Sequence, residues 1–314
     1  MAKKKTAPVK SAKKKKRTAN FFINAFYESK FRDNLFVIKA GGKIIEDRKS
    51  LDNLLANIKK LNFLGIKVLL VYGGGRAVDE ALEKRGIGIR KKDGRRITDK
   101  ATLGVIKEVI GGTLALSINE SMARNGLEGY AFNAVPHEWL RAQLRPKKPV
   151  DYGYVADIRG ANKRPIMRLF KVTNFVACGC LATLENGTLC NVNADTIATE
   201  LAIGATADKL MFLSDVDGVL INGKAAFTIT DVQIPRYIKD GTATGGMKVK
   251  LENCLKALDA GVKRIHLING LRQDALYNEI FEPVGPGTML FKESERKNYM
   301  NEVEAQKAIG GAKA

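Results

Sequence analysis

The 314-residue chain has only two histidines, four cysteines and one tryptophan. Neither His137 nor His266 stands at zinc-ligand spacing from a cysteine, so no metal site is expected. Cys178 and Cys180, two apart, read better as small buried hydrophobes on a strand than as half of a metal centre. Together with Cys190 and Cys254 they are too few and too unevenly placed for a disulfide framework, and they suit a reducing compartment, here expected to be the cytoplasm. No uninterrupted apolar run approaches the roughly 18–20 residues that span a bilayer, so no membrane partner is expected. Acidic residues are scarce: 33 against 53 Lys and Arg, a formal net charge of +20. Much of that excess sits in residues 1–20, where Lys3 to Lys5, Lys10, Lys13 to Lys16 and Arg17 occur with no acid. Such a segment buries no apolar surface and is expected to be disordered, with at most weak attraction for RNA or other polyanions.

With 45% hydrophobic residues, the remainder can bury one large or two modest cores. Residues 21–34 carry Phe21, Phe22, Ile23, Phe26 and Phe31 at spacings that predict an amphipathic helix. Strand-like and helix-like segments then alternate: "LFVIKA", a helix with Leu51, Leu54, Leu55, Ile58 and Leu61 on one face and Ser50 as its N-cap, "KVLLVY", and later "GYAFNAV", "NFVACGC", "KLMFLS" and "RIHLI". Continuous apolar strands between helices predict an α/β fold, a three-layer αβα sandwich around a mostly parallel sheet. The Pro-, Gly- and Tyr-rich stretch 139–171 breaks this rhythm and reads as a β-hairpin insertion.

In such a sheet ligands bind beyond the carboxyl ends of the strands. "VIKAGGKIIED" sets Gly41 and Gly42 between Lys39 and Lys43 directly after a strand, which suits a phosphate and equally suits an ordinary strand-to-helix turn. The second strand runs into Gly73, Gly74 and Gly75, and "TATGGMK" precedes a later helix. Three glycine clusters at strand–helix junctions can aim backbone N–H groups and helix N-termini at one anionic ligand.

The ordered series "IKAGG", "VYGGG", "GRRITD", "NVNADTIATELA", "LSDVDGVL", "TATGGMKVK" and "VGPGTML" resembles the amino-acid kinase family over about residues 35–292, and within it the branch that phosphorylates N-acetylglutamate for arginine biosynthesis. The resemblance implies a kinase domain over 35–300, with a substrate-binding and dimerising lobe to about 190, an ATP-binding lobe beyond it, and a tail over 301–314. It implies catalytic roles for Lys39 and Lys250, one on each side of the transferred phosphoryl group, and for Asp195, which would hold both lysines or serve only as a helix N-cap. Substrate contacts would come from Gly74, Gly75, Arg96 and Asn191, with Arg95 a solvated neighbour. ATP would lie among Gly41, Gly42, Asp215, Val216, Asp217, Gly218, Val219, Leu220, Thr242, Ala243 and Thr244, with Mg2+ held through its phosphates.

Three departures stand out: Tyr72 where the family has His, Arg76 where it has a small residue or Pro, and Lys248 where an aliphatic residue is common. Arg76 is expected to add a cation beside the substrate pocket, favouring a larger or more acidic ligand. Arginine-inhibited members carry an N-terminal helix that joins dimers into a hexamer, so residues 21–34 imply a homo-oligomer and arginine feedback. The competing expectations are a sister kinase acting on a glutamate or aminoadipate group borne by an acidic carrier protein, and a non-catalytic regulatory or RNA-binding module.

Overall fold

A computed structural model describes residues 27–311 apart from 93, 222, 283 and 284, and the side chains as far as residue 304. The Lys-rich segment and the first part of the 21–34 helix lie outside the described residues.

The apolar runs form one eight-stranded sheet. In chain order its strands are β1 (Leu35–Ala40), β2 (Lys67–Tyr72), β3 (Tyr130–Phe132), β4 (Phe175–Gly179), β5 (Lys209–Ser214), β6 (Thr228–Thr230), β7 (Arg264–Asn269) and β8 (Thr288–Phe291). Across the sheet the order is β6-β8-β7-β5-β1-β2-β4-β3. Neighbours are parallel except β7 and β8. The expectation of a mostly parallel sheet is met, and the central strands are buried on both faces, as continuous rather than alternating apolar runs require.

Two groups of helices cover the sheet. Arg48–Phe63 packs on Ala115–Asn125, while Ala194–Ala205 packs on β1 and on Gly245–Asp259. The first of these is capped by Asp47, whose carboxylate accepts the N–H of Ser50. Ser50, expected as the cap, is therefore inside the helix. Lys100–Asn125 is a continuous 26-residue helical run, apolar enough by composition to cross a membrane. Its buried residues, among them Ile106, Ile110 and Ile118, belong to the core. The expected insertion is an antiparallel pair, Leu140–Leu144 with Ala156–Ala161.

Register brings the strand ends level. Ala40 lies beside both Tyr72 and Leu213, Tyr72 beside Gly179, and Ser214 beside Asn269. The loops after β1, β2, β4, β5 and β7 consequently open on one edge. Residues 27–31 are helical and fold back on the domain. The Tyr27 and Phe31 rings meet Phe281 edge-on at centroid distances of 4.7 and 6.5 Å, and both residues are buried.

Candidate active site

Lys39 is the penultimate residue of β1, in register with Val71 and Phe212. Its Nζ lies 2.8 Å from Asp195 Oδ1, and Lys250 Nζ lies 2.9 Å from Asp195 Oδ2. Lys250 reaches this point from the second turn of Gly245–Asp259, its ammonium 4.8 Å from the centroid of the Phe212 ring. One carboxylate thus holds two ammonium groups that arrive from different halves of the chain. Burial alone would raise the Asp195 pKa, but Lys39 and Lys250 together outweigh it and hold the carboxyl well below the usual carboxylate range. The cap of Ala194–Ala205 is Asn193, whose Oδ1 accepts the Thr196 N–H at 3.0 Å. Asp195 is accordingly free of capping duty, which removes the reading of it as a cap only.

The glycine loops meet at this edge. A Cβ on Gly42 would stand 3.4 Å from Gly74 Cα, an ordinary contact distance, and 2.5 Å from Glu46 Oε1, so the loops after β1 and β2 lie against each other and Glu46 fills the space beside Gly42. A Cβ on Gly74 would collide with Leu114 Cδ1. The N–H of Gly41 is engaged by Leu213 O at 3.0 Å. Glu46, which the sequence did not single out, closes the other side: it accepts the Ala77 N–H at 3.1 Å and pairs with Arg76 at 2.8 Å. Arg76 also pairs with Glu80. Its guanidinium is therefore held between two carboxylates and, against expectation, does not line the substrate cavity. Tyr72 is fully buried behind the loop, its hydroxyl donating to Phe132 O at 3.1 Å.

A cavity of about 300 Å³ opens between these loops and the short hairpin Lys91–Lys92/Arg95–Arg96. Its walls include Lys39, Gly74, Gly75, Arg96, Asn191 and Asp195, which were expected together, and Lys91, Arg95 and Asn193, which were not. Arg96 is the most constrained of the cations. Its Nη1 lies 2.6 Å from Asp79 Oδ1, its Nη2 donates to Gly75 O at 3.1 Å, and its side chain is 9% exposed. Lys91, directly across the hairpin, takes the other Asp79 oxygen at 2.6 Å. Like charges opposed on a hairpin repel, and Asp79 offsets this pair. Burial raises the Asp79 pKa, but hydrogen bonds from Arg96 and Lys91 bring it below its ordinary value. The Asn191 amide donates to Thr98 Oγ1 at 3.2 Å.

The residues expected around ATP occupy the neighbouring strand ends. Lys43 pairs with Asp215, so the first glycine loop is tied to the loop after β5. Asp217 accepts from Asn269 at 2.8 Å and Arg272 at 2.6 Å, and the Val219 N–H donates to Thr288 Oγ1 at 2.9 Å. Gly218 has a φ of 120°, in the glycine-favoured region, with Thr288 where a side chain would be. Thr242 and the buried Ala243 lead to Thr244, the N-cap position of Gly245–Asp259, with no side-chain cap. The Met247 and Lys248 N–H groups donate to Thr244 O at 3.0 and 3.2 Å, which leaves those of Gly245 and Gly246, without a partner among the described residues, to face an anion. Val216 and Leu220 are exposed. Lys248 points off the site to Glu252, 3.9 Å away. Cys178 and Cys180 are buried in and beside β4, and burial pushes the Cys180 thiol up to about 11.

The profile of the amino acid kinase family matches residues 34–269. Similar curated proteins include the acetylglutamate kinase of Campylobacter hominis, 33% identical over 88% of this chain and 98% of that protein. Another is the acetylglutamate kinase of Halothermothrix orenii, 32% identical over 85% of this chain and 94% of the relative. Among solved structures, smu.665 from Streptococcus mutans UA159 superposes with a TM-score of 0.71 at 26% identity, covering 82% of this chain and 99% of the other. N-acetylglutamate synthase from Neisseria gonorrhoeae, solved with coenzyme A and N-acetyl-glutamate, shares the fold with a TM-score of 0.79 at 24% identity. The match covers 88% of this chain and 63% of the synthase's length. On the profile match and the breadth of these identities, the chain belongs to the amino acid kinase family.

Proposed function

We propose that the protein transfers the γ-phosphoryl group of ATP to the side-chain carboxylate of N-acetyl-L-glutamate, giving an acylphosphate. The observation that carries this reading is the shared grip of Asp195 on Lys39 and Lys250 beside a small, cation-lined cavity. The curated acetylglutamate kinases that match almost from end to end support the choice of substrate.

A carboxylate is already ionised near neutral pH, so the reaction needs no general base. It needs two anions brought together and the spreading negative charge stabilised. Arg96, fixed by Asp79 and Gly75 O, presents a planar fork to the α-carboxylate. Gly74 and Gly75 admit the side-chain carboxylate to the backbone, and Asn191 takes the acetamido group. Lys39 approaches the transferred phosphoryl from the substrate lobe and Lys250 from the nucleotide lobe, both preset by Asp195 so that little reorganisation accompanies the reaction. ATP lies between the Lys43–Asp215 loops and the uncapped helix after Thr244. Magnesium bound with the nucleotide would be held mainly by its phosphate oxygens and would supply charge neutralisation there.

Feedback by arginine is proposed only on the resemblance of the N-terminal helix, of which residues 27–31 fold back on the domain, to that of arginine-inhibited members of the family. The cavity beneath them, about 50 Å³ and walled by Lys30, Lys209, His266, Glu279 and Glu302, is too small for an arginine as it stands. Four free, buried cysteines suit reaction in the cytoplasm. The test is ATP-dependent acylphosphate formation, trapped as hydroxamate, with N-acetylglutamate against glutamate and aminoadipate, with and without arginine. Turnover confined to N-acetylglutamate supports the reading, and turnover of none of the three refutes it.

A further inference from the structure

The hairpin that roofs the cavity brings three cations to it, Lys91, Arg95 and Arg96, and among the described residues Asp79 is the one carboxylate that pairs with any of them. Asp79 takes up Lys91 and Arg96. Arg95 is left over. It lines the same cavity, it is half-buried, and among the described residues no carboxylate lies within ion-pair distance of it. Its surroundings do not compensate. Burial disfavours its charge most, and the Arg145 guanidinium adds to that; Asp157, Tyr152 and Glu252 oppose the effect only from a distance. Arg145 itself is stacked on Tyr152, 4.8 Å from the ring centroid, and pairs with Asp157 at 3.5 Å, so it is held in place and keeps Asp157 occupied.

A partly desolvated guanidinium without a carboxylate is a costly arrangement, and proteins keep such groups paired. Elsewhere around this edge the cations conform: Lys39 and Lys250 have Asp195, Lys43 has Asp215, and Arg76 has Glu46 and Glu80. The exception faces the ligand cavity, and an anionic ligand is what would complete it.

We infer that Arg95 is a substrate-binding and specificity-determining residue, which with Arg96 forms a two-guanidinium receptor for the substrate carboxylate that is not phosphorylated. The inference rests on the proposed reaction and deepens it: the site requires a second anionic group, and an acylated amino acid with that carboxylate amidated is rejected. Arg96 reaches the cavity from the side of Asp79 and Gly75, and Arg95, its neighbour on the same hairpin strand, lines the cavity beside it.

The experiment is steady-state kinetics of the full-length protein and its Arg95→Gln and Arg95→Lys variants, with N-acetylglutamate and with its α-amide. Loss of a charge-assisted hydrogen bond to an anion is worth about 1.5–3 kcal/mol, or roughly 10- to 100-fold. Arg95→Gln is expected to raise KM for N-acetylglutamate about 10- to 100-fold with the KM for ATP and kcat within about threefold. It is also expected to narrow the preference for acid over amide, and Arg95→Lys to recover part of both. An unchanged KM in a variant that melts like the wild type overturns the inference, as does a fall in kcat at constant KM, which would put Arg95 on the phosphoryl group instead. If the wild type turns over no N-acetylglutamate, the proposed reaction fails first. Calorimetric titration with N-acetylglutamate then still judges Arg95: tighter binding to wild type than to Arg95→Gln upholds the anion receptor, and equal binding or none overturns it.

Discussion

Lys250 Nζ stands 2.9 Å from one oxygen of Asp195 while Lys39 occupies the other at 2.8 Å. A carboxylate shared in this way fixes the separation of two cations better than either lysine's flexible stem does alone. Asp195→Asn is therefore expected to lower kcat by about 100- to 1,000-fold, the range for losing one preorganised stabilising group. Substrate affinity should change less, and a parallel collapse of both would contradict the positioning role.

The same carboxylate sets an acid limit on stability. Its folded pKa lies below the unfolded value, so its contribution is complete above the unfolded carboxylate pKa of about 3.9 and is lost as pH falls toward the folded pKa. Thermal melts of the wild type should drop more steeply below about pH 4 than melts of Asp195→Asn. Parallel curves would show that Asp195 is not linked to folding.

Lys209 gives the opposite linkage at alkaline pH. Burial, with Arg264 and Lys30 adding to it against Glu302 and Glu279, pulls its pKa down to about 8. Between there and the unfolded value of about 10.4, the unfolded chain binds more protons, so this residue makes stability rise with pH over that window. Lys209→Met should remove the rise while retaining the packing against Phe31 and Phe36. A difference between wild type and variant that stays flat from pH 8 to 10 would contradict the assignment.

Two adjacent glycines separate folding from ligand contact. A methyl group on Gly75 meets nothing within 4 Å, whereas one on Gly74 collides with the buried Leu114. Gly75→Ala should keep the melting temperature within a few degrees and weaken substrate turnover; Gly74→Ala should lose both. Equal melting losses would mean that Gly75 is required by the fold rather than by the ligand.

Much of this was legible in the sequence because short motifs fix local geometry. Apolar runs of five or six residues declared the parallel strands, and glycine clusters after them marked the edge at which the loops gather. Lys39, Asp195, Arg96 and Asn191 could be singled out because each sits in such a motif, and the fold brings all four to one cavity. Pairings between distant segments were not legible. Nothing in "GGGRAVDEAL" announces that Asp79 will clamp Arg96, or in "KIIED" that Glu46 will occupy Arg76 and so withdraw it from the cavity. Ser50 lost the cap to Asp47, three residues earlier, and Asp195 was relieved of one by Asn193, two residues earlier, because equally good capping residues stand at both places and the sequence alone does not say which of them the helix begins from. Arg95 was passed over as a solvated neighbour because its isolation from carboxylates is a property of three segments folded together.

The most direct measurement is the kinetics of hydroxamate-trapped acylphosphate formation from ATP and N-acetylglutamate, comparing the wild type with Lys250→Ala. The account predicts robust turnover by the wild type and a fall in kcat of at least about 100-fold in the variant, with KM for N-acetylglutamate changed severalfold at most, since Lys250 acts on the phosphoryl group. A variant that retains kcat while losing substrate affinity would contradict the claim that the two lysines held by Asp195 stabilise the transfer.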